Sequence, residues 1–124
     1  MLCECCRINK PVVKDYRGVD FGGFIDIQKY LVCTLCFNLA DDYFFKLFEA
    51  KDDKERKEII KDILINIFGI MHMTFEEFNK FYDDEVFKKE IFNWLNFLDK
   101  KDKDEILSKI KENDKKLYLM FLRM

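Results

Sequence analysis

Three cysteines fall within the first six residues, in MLCECCRINK, and two more follow at Cys33 and Cys36 in VCTLCFNLADD. Cys3 with Cys6 and Cys33 with Cys36 form two C-x2-C pairs, with 26 residues between them in a chain of 124. Each pair can sit on one tight turn that aims two thiolates the same way, and two such turns brought together supply the four sulfurs of a tetrahedral zinc site. Buried thiols, a redox dithiol or an iron–sulfur cluster would draw on the same residue type. Two pairs at matched spacing favour zinc, one ion per chain, on Cys3, Cys6, Cys33 and Cys36. Four protein ligands leave no open coordination position, so the ion is expected to be structural rather than catalytic. Cys5 is left over as a thiol beside the metal, expected to react with thiol reagents. His72, the sole histidine, is expected to cap a junction of two helices.

The elements that must position these residues are legible from periodicity. Between the pairs, PVVKDY (11–16) and FIDIQKYL (24–31) read as short strands, and RGVDFGG supplies the turn of a hairpin. In the second strand Ile25, Ile27 and Leu31 share the face expected to be buried, with Asp26 and Gln28 on the other. From Cys33 onward the pattern turns helical. Apolar residues at 36, 37, 40, 43, 44, 47 and 48 predict a first helix over about 34–50. Asp52 or Asp53 then caps a second helix, about 53–71, lined by Ile59, Ile60, Ile63, Leu64, Ile67 and Phe68. Thr74 with Glu77 forms a capping box and opens a short third helix with Phe75, Phe78, Phe81 and Tyr82 inward. Phe87, Ile91, Trp94, Leu95 and Leu98 make the stripe of a fourth helix, about 84–98. A last helix, capped by Asp102 or Asp104, is expected to run unbroken to about 122.

Length and composition bound the rest. At about 100 to 200 residues per domain, the chain is one domain or one domain with a small metal-stapled lobe. Hydrophobic residues make up 49% and charged residues 37%, with one proline and four glycines, which favours a globular chain built from long uninterrupted helices. The net charge of −2 gives no broad electrostatic footprint for nucleic acid. No apolar run approaches the roughly 20 residues of a membrane span. Glu4, Arg7 and Lys10 interrupt any signal-peptide core. A cytoplasmic, reducing location is therefore expected, where clustered cysteines more often bind metal than form disulfides.

Knuckle, hairpin, then a helix beginning at the second cysteine pair is an arrangement that resembles the treble-clef zinc class. Within it, YLVCTLCFNLADDYF is similar to a segment of the zinc-binding domain of ClpX-type unfoldase chaperones, over residues 1–48. The resemblance implies a metal role for Cys3, Cys6, Cys33 and Cys36 and a lobe that serves in protein recognition. It implies no unfoldase activity, because no G-x-x-x-x-G-K-[ST] motif occurs in the chain. The expected fold is thus mainly α with a small β-hairpin. A treble-clef-like zinc lobe (1–48) packs on a bundle of about four to five helices (49–124), which shares a core with the first helix.

No enzyme is expected. Ser108, two threonines and one histidine lie in no recognisable catalytic motif. Adjacent carboxylates such as Asp41–Asp42 and Glu76–Glu77 read as solvated helix starts, and no small-molecule substrate is implied. Phe92, Phe97, Tyr118 and Phe121 exceed what one face of each helix can bury, and surplus apolar surface points to a protein partner or self-association. The expected function is a zinc-stabilised interaction module or regulator. Small motif-poor chains of this kind include viral and mobile-element proteins that inhibit host complexes, anti-CRISPR proteins among them. The alternative is a nucleic-acid-binding zinc protein, a transcription regulator, that uses Arg7, Lys10, Lys14, Arg17 and Lys29 on phosphates.

Overall fold

A computed structural model describes residues 1–66, 74–81 and 85–123, the side chain of Phe81 excepted. His72, Ile67, Phe68 and Tyr82 lie outside the described residues. The fold is mainly helical, with a two-stranded antiparallel hairpin and a cysteine cluster near the N-terminus. The chain divides into two units, Met1–Glu49 and Ala50–Met124.

In the first unit β1 (Val13–Asp20) pairs with β2 (Ile25–Val32), in a register that sets Val13 opposite Val32, Tyr16 opposite Lys29 and Asp20 opposite Ile25. The first strand runs four residues further toward the turn than periodicity predicted, whereas the second is displaced by one residue away from it. The connection is tight because Gly22 and Gly23 adopt positive φ angles of 75° and 118°, conformations that cost glycine little. Asp20 Oδ1 accepts from both glycine amides, at 3.0 and 3.3 Å.

The alternation in β2 is real, but its expected direction is reversed. Ile25 and Ile27 are 72% and 62% exposed. The sheet instead turns Asp15, Arg17, Gln28, Tyr30 and Val32 inward. The Arg17 guanidinium accounts for the reversal: Nε donates to Asp15 Oδ2 at 2.8 Å, Nη1 to Asp41 Oδ1 at 2.7 Å, and the group lies 3.8 Å over the Phe44 ring. Beside it Tyr30 packs edge-on against Phe44 and Phe48, with centroids 5.3 and 5.1 Å away.

The predicted first helix is two helices, α1 (Thr34–Phe37) and α2 (Asp41–Phe48). Apolar spacing continues through the break, so the sequence pattern conceals it. Arg17 again supplies the reason. Its Nη2 donates to the carbonyls of Cys36, Phe37 and Leu39 at 3.1, 3.3 and 3.0 Å, satisfying acceptors that an interrupted helix leaves open.

The second unit holds α3 (Asp53–Ile65), α4 (Phe75–Phe81), α5 (Glu85–Phe97), α6 (Lys100–Asn113) and α7 (Lys115–Arg123). Asp52 caps α3 by accepting from the Glu55 amide at 2.9 Å. The Thr74 hydroxyl accepts from the Glu77 amide at 3.2 Å, as the capping box predicts. The expected stripe of α5 is buried throughout: Phe87, Ile91, Trp94, Leu95 and Leu98. Two expectations are corrected. The last helix starts after Asp99, so the charged run 100–105 is helical, and it is broken at Asp114.

That break has a use. Asp114 accepts from the Leu117 amide at 3.0 Å, capping α7, and from the Phe75 amide at 2.9 Å, capping α4. The amide of Phe75 is the main reason the Asp114 carboxyl lies below the usual carboxylate range, with that of Leu117 adding to it. Side-chain caps contribute about 1 kcal/mol each, so Asp114→Ala is expected to destabilise this unit by about 1–2 kcal/mol. A lowered folded-state pKa stabilises above the unfolded value and stops doing so as pH falls through the folded one. The gap between wild type and variant is therefore widest at neutral pH and narrows in acid. Urea titrations followed by fluorescence of Trp94, the only tryptophan, measure it; a pH-independent gap would contradict the assignment.

Candidate metal centre

The site is built from two backbone turns. In the first, Cys3 to Cys6, the Arg7 amide donates to the Cys3 carbonyl at 2.9 Å and the Cys3 amide to the Asn9 carbonyl at 2.7 Å. Arg7 closes the turn in the left-handed region, φ 59°, unusual for a residue with a side chain. In the second, Cys33 occupies the N-cap of α1 and Cys36 its first turn. Glu4 joins the two. Its amide donates to the Leu31 carbonyl at 2.9 Å, and its carboxylate accepts from the Leu31 amide at 3.0 Å, fixing the first turn against the end of β2.

These turns place the sulfurs of Cys3, Cys6, Cys33 and Cys36 within 4.8 Å of one another, all fully buried. Cys6 and Cys33 stand 3.9 Å apart, far outside the roughly 2.05 Å of a disulfide. Four sulfurs about 2.3 Å from a shared tetrahedral ion would lie about 3.8 Å from each other, so the cluster could hold a metal ion. The Asn9 amide group donates to Cys33 Sγ at 3.9 Å, an outer contact of the kind that orients a ligand.

The surroundings shift the four thiols in opposite directions. Hydrogen bonds from Cys33 and Cys36 hold the Cys3 thiol far below the ordinary thiol range. Cys6 is also lowered, Cys3 opposing the shift and Cys33 and Cys36 outweighing it. Hydrogen bonding to Cys3 raises Cys33, and burial above all raises Cys36. The four thiols are thus biased in opposite directions, and a divalent cation at the centre would neutralise all four.

Cys5 is not the reactive thiol that the sequence suggested. It is fully buried, and its Sγ donates to the Phe44 carbonyl at 3.4 Å. The basic residues proposed for phosphate contact also separate. Arg7, Lys10, Lys14 and Lys29 are exposed, Arg7 with its Nη2 donating to the Leu47 carbonyl at 3.4 Å, whereas Arg17 is buried in its ion pairs. Arg17 is withdrawn from any phosphate.

The candidate partner residues fare likewise. Phe121 is buried, its ring 5.5 Å from that of Phe78. Phe92, Phe97 and Tyr118 are half-buried, and a cation lies over each ring: Lys103 at 5.8 Å, Arg56 at 5.2 Å and Lys111 at 5.3 Å respectively. Among the described residues, the hairpin groups the exposed apolar side chains Tyr16, Phe21, Phe24, Ile25 and Ile27, with others at Met1, Leu2, Val12, Phe37, Val86 and Leu122. Strand alternation alone could have found it had the inward face been known. Comparison with protein-family models, curated proteins and solved structures finds no match to this chain. No helix among the described residues is long and apolar enough to cross a membrane.

Metal analysis is expected to find one ion per chain, kept in Cys5→Ala and lost in Cys36→Ser. Thiol titration should register no reactive cysteine before a chelator is added and all five afterwards. Loss of metal from Cys5→Ala would overturn the ligand set. Arg17→Lys replaces a planar fork serving five acceptors by one ammonium, and breaking a buried pair costs about 3–5 kcal/mol. Because binding and folding are linked, a chelator should strip this variant about 100- to 4,000-fold more readily; unchanged stripping would contradict the bracing role.

Proposed function

We propose that the chain is a non-enzymatic protein-interaction module whose first unit is folded by a structural zinc ion. The donor set supports zinc: four thiolates suit a soft tetrahedral ion, and zinc adds no redox chemistry of its own. The order of knuckle, hairpin and a short helix starting at the second pair supports a treble-clef reading, and the helices described in the second unit support a small helical bundle. A lobe of this size buries too little apolar surface to fold securely alone, and coupled zinc binding supplies on the order of 10 kcal/mol.

One observation carries the interaction reading. Apolar side chains stand exposed together on a hairpin whose base is tied to the cysteine cluster. A metal-braced strand pair presents them with little ordering left to lose on binding, which favours affinity. The nucleic-acid reading keeps Lys10, Lys14 and Lys29 with exposed Tyr16 as a stacking ring, but loses Arg17 to the interior.

Affinity capture from the source cells with wild type and with Ile25→Ser/Ile27→Ser tests the reading. Both substituted positions are exposed, so metal content should be equal in the two proteins. A protein retained by wild type and released by the double variant is the expected result. Equal retention by both, or retention of nothing, would count against it.

A further inference from the structure

The outward face of the hairpin has a polarity that identifies what it binds. The register places Lys14 beside Leu31, Tyr16 beside Lys29, Gly18 beside Ile27 and Asp20 beside Ile25 on that face. Its base therefore carries two exposed lysines, and its tip carries Ile25 and Ile27, with Phe21 and Phe24 stacked at 5.9 Å just beyond. Gly18 keeps the tip flat: a Cβ there would lie 2.9 Å from Ile25 Cγ2, so the isoleucine rests over bare backbone. The face's one carboxylate, Asp20, is engaged with the Gly22 and Gly23 amides.

Deepening the interaction reading above, on which it rests, we infer that this face binds an acidic amphipathic segment of another protein. Leucine-like side chains of the segment cover the tip, and carboxylates meet Lys14 and Lys29. Charge decides among occupants. A second copy would bring the same two lysines and no uncommitted carboxylate, leaving cations desolvated without partners. A nucleic acid would leave the aliphatic tip against phosphate and sugar.

The β2 edge is blunted at two points. At the base Glu4 occupies both backbone groups of Leu31, and in mid-strand Asp26 Oδ1 takes the Ile27 amide at 2.9 Å. Such contacts blunt an edge against strand addition, so the segment lies across the face rather than extending the sheet.

The test uses the full, metal-loaded chain and three labelled probes followed by anisotropy. One is a peptide with leucines on one face and glutamates beside them, one the same peptide with lysine for each glutamate, and one a single-stranded oligothymidine. Only the glutamate peptide is expected to bind, roughly tenfold more weakly to Ile27→Ser, and to Lys14→Glu/Lys29→Glu. Equal binding of the lysine peptide, tighter binding of the oligothymidine, or a dimer in light scattering that Ile27→Ser abolishes would each overturn the inference. If no peptide binds while the cellular partner is still captured through Ile25 and Ile27, the acidic chemistry is wrong and the interaction reading stands.

Discussion

Four ionisable sulfurs held within 4.8 Å of one another in a dry interior set the terms for everything in the first unit. Charge repulsion and desolvation forbid four bare thiolates there, so the sulfurs share either protons or a cation. A metal ion held by all four would resolve the conflict and turn the cluster from the weakest point of the lobe into its strongest. The turn at Cys3 to Cys6, the last residues of β2 and the start of α1 all meet at the cluster. Whatever the hairpin presents to solvent is presented from that anchor.

Around the cluster, directional polar contacts do what apolar packing does in larger domains. Arg17 spends its donors on two carboxylates and three carbonyls, and Phe44 covers its flat side. Burying a guanidinium is expensive, and its hydrogen bonds, at about 1.5–3 kcal/mol each, offset the cost without a large surplus. The gain is in specificity. Helix α1 must stop where the guanidinium meets its carbonyls, and α2 must begin where Asp41 reaches back. The second unit is more conventional, with apolar stripes inside and ion pairs such as Lys61 to Asp102 and Glu105 outside, at 2.9 and 2.8 Å.

How much of this was legible in sequence depended on how local the controlling interaction was. The meeting of the cysteine pairs could be read from their spacing, and the stripe of α5, with Ile60, Ile63 and Leu64 of α3, because one buried face imposes its period. Thr74 and Glu77 sit three residues apart, and their cap was readable for the same reason. The inward face of β2 was not, since alternation offers two faces and a residue on the other strand, Arg17, selects between them. The break after Phe37 was hidden because apolar spacing runs through it. Asp114 carried no signal in the sequence, although it holds the starts of two helices that lie far apart in the chain. Cys5 was misjudged because burial is a tertiary property that spacing does not report.

The reversed hairpin also protects its own alignment. Because neighbouring side chains on a strand point to opposite sides, sliding β1 by one residue would expel Arg17 to water and drive Tyr16 against the broken helix. Apolar contacts tolerate such a slide, since one greasy neighbour replaces another. A guanidinium matched to four oxygens beyond its own strand does not, so misaligned forms of this ribbon lose those four bonds at once and keep only the one to Asp15, which moves with Arg17.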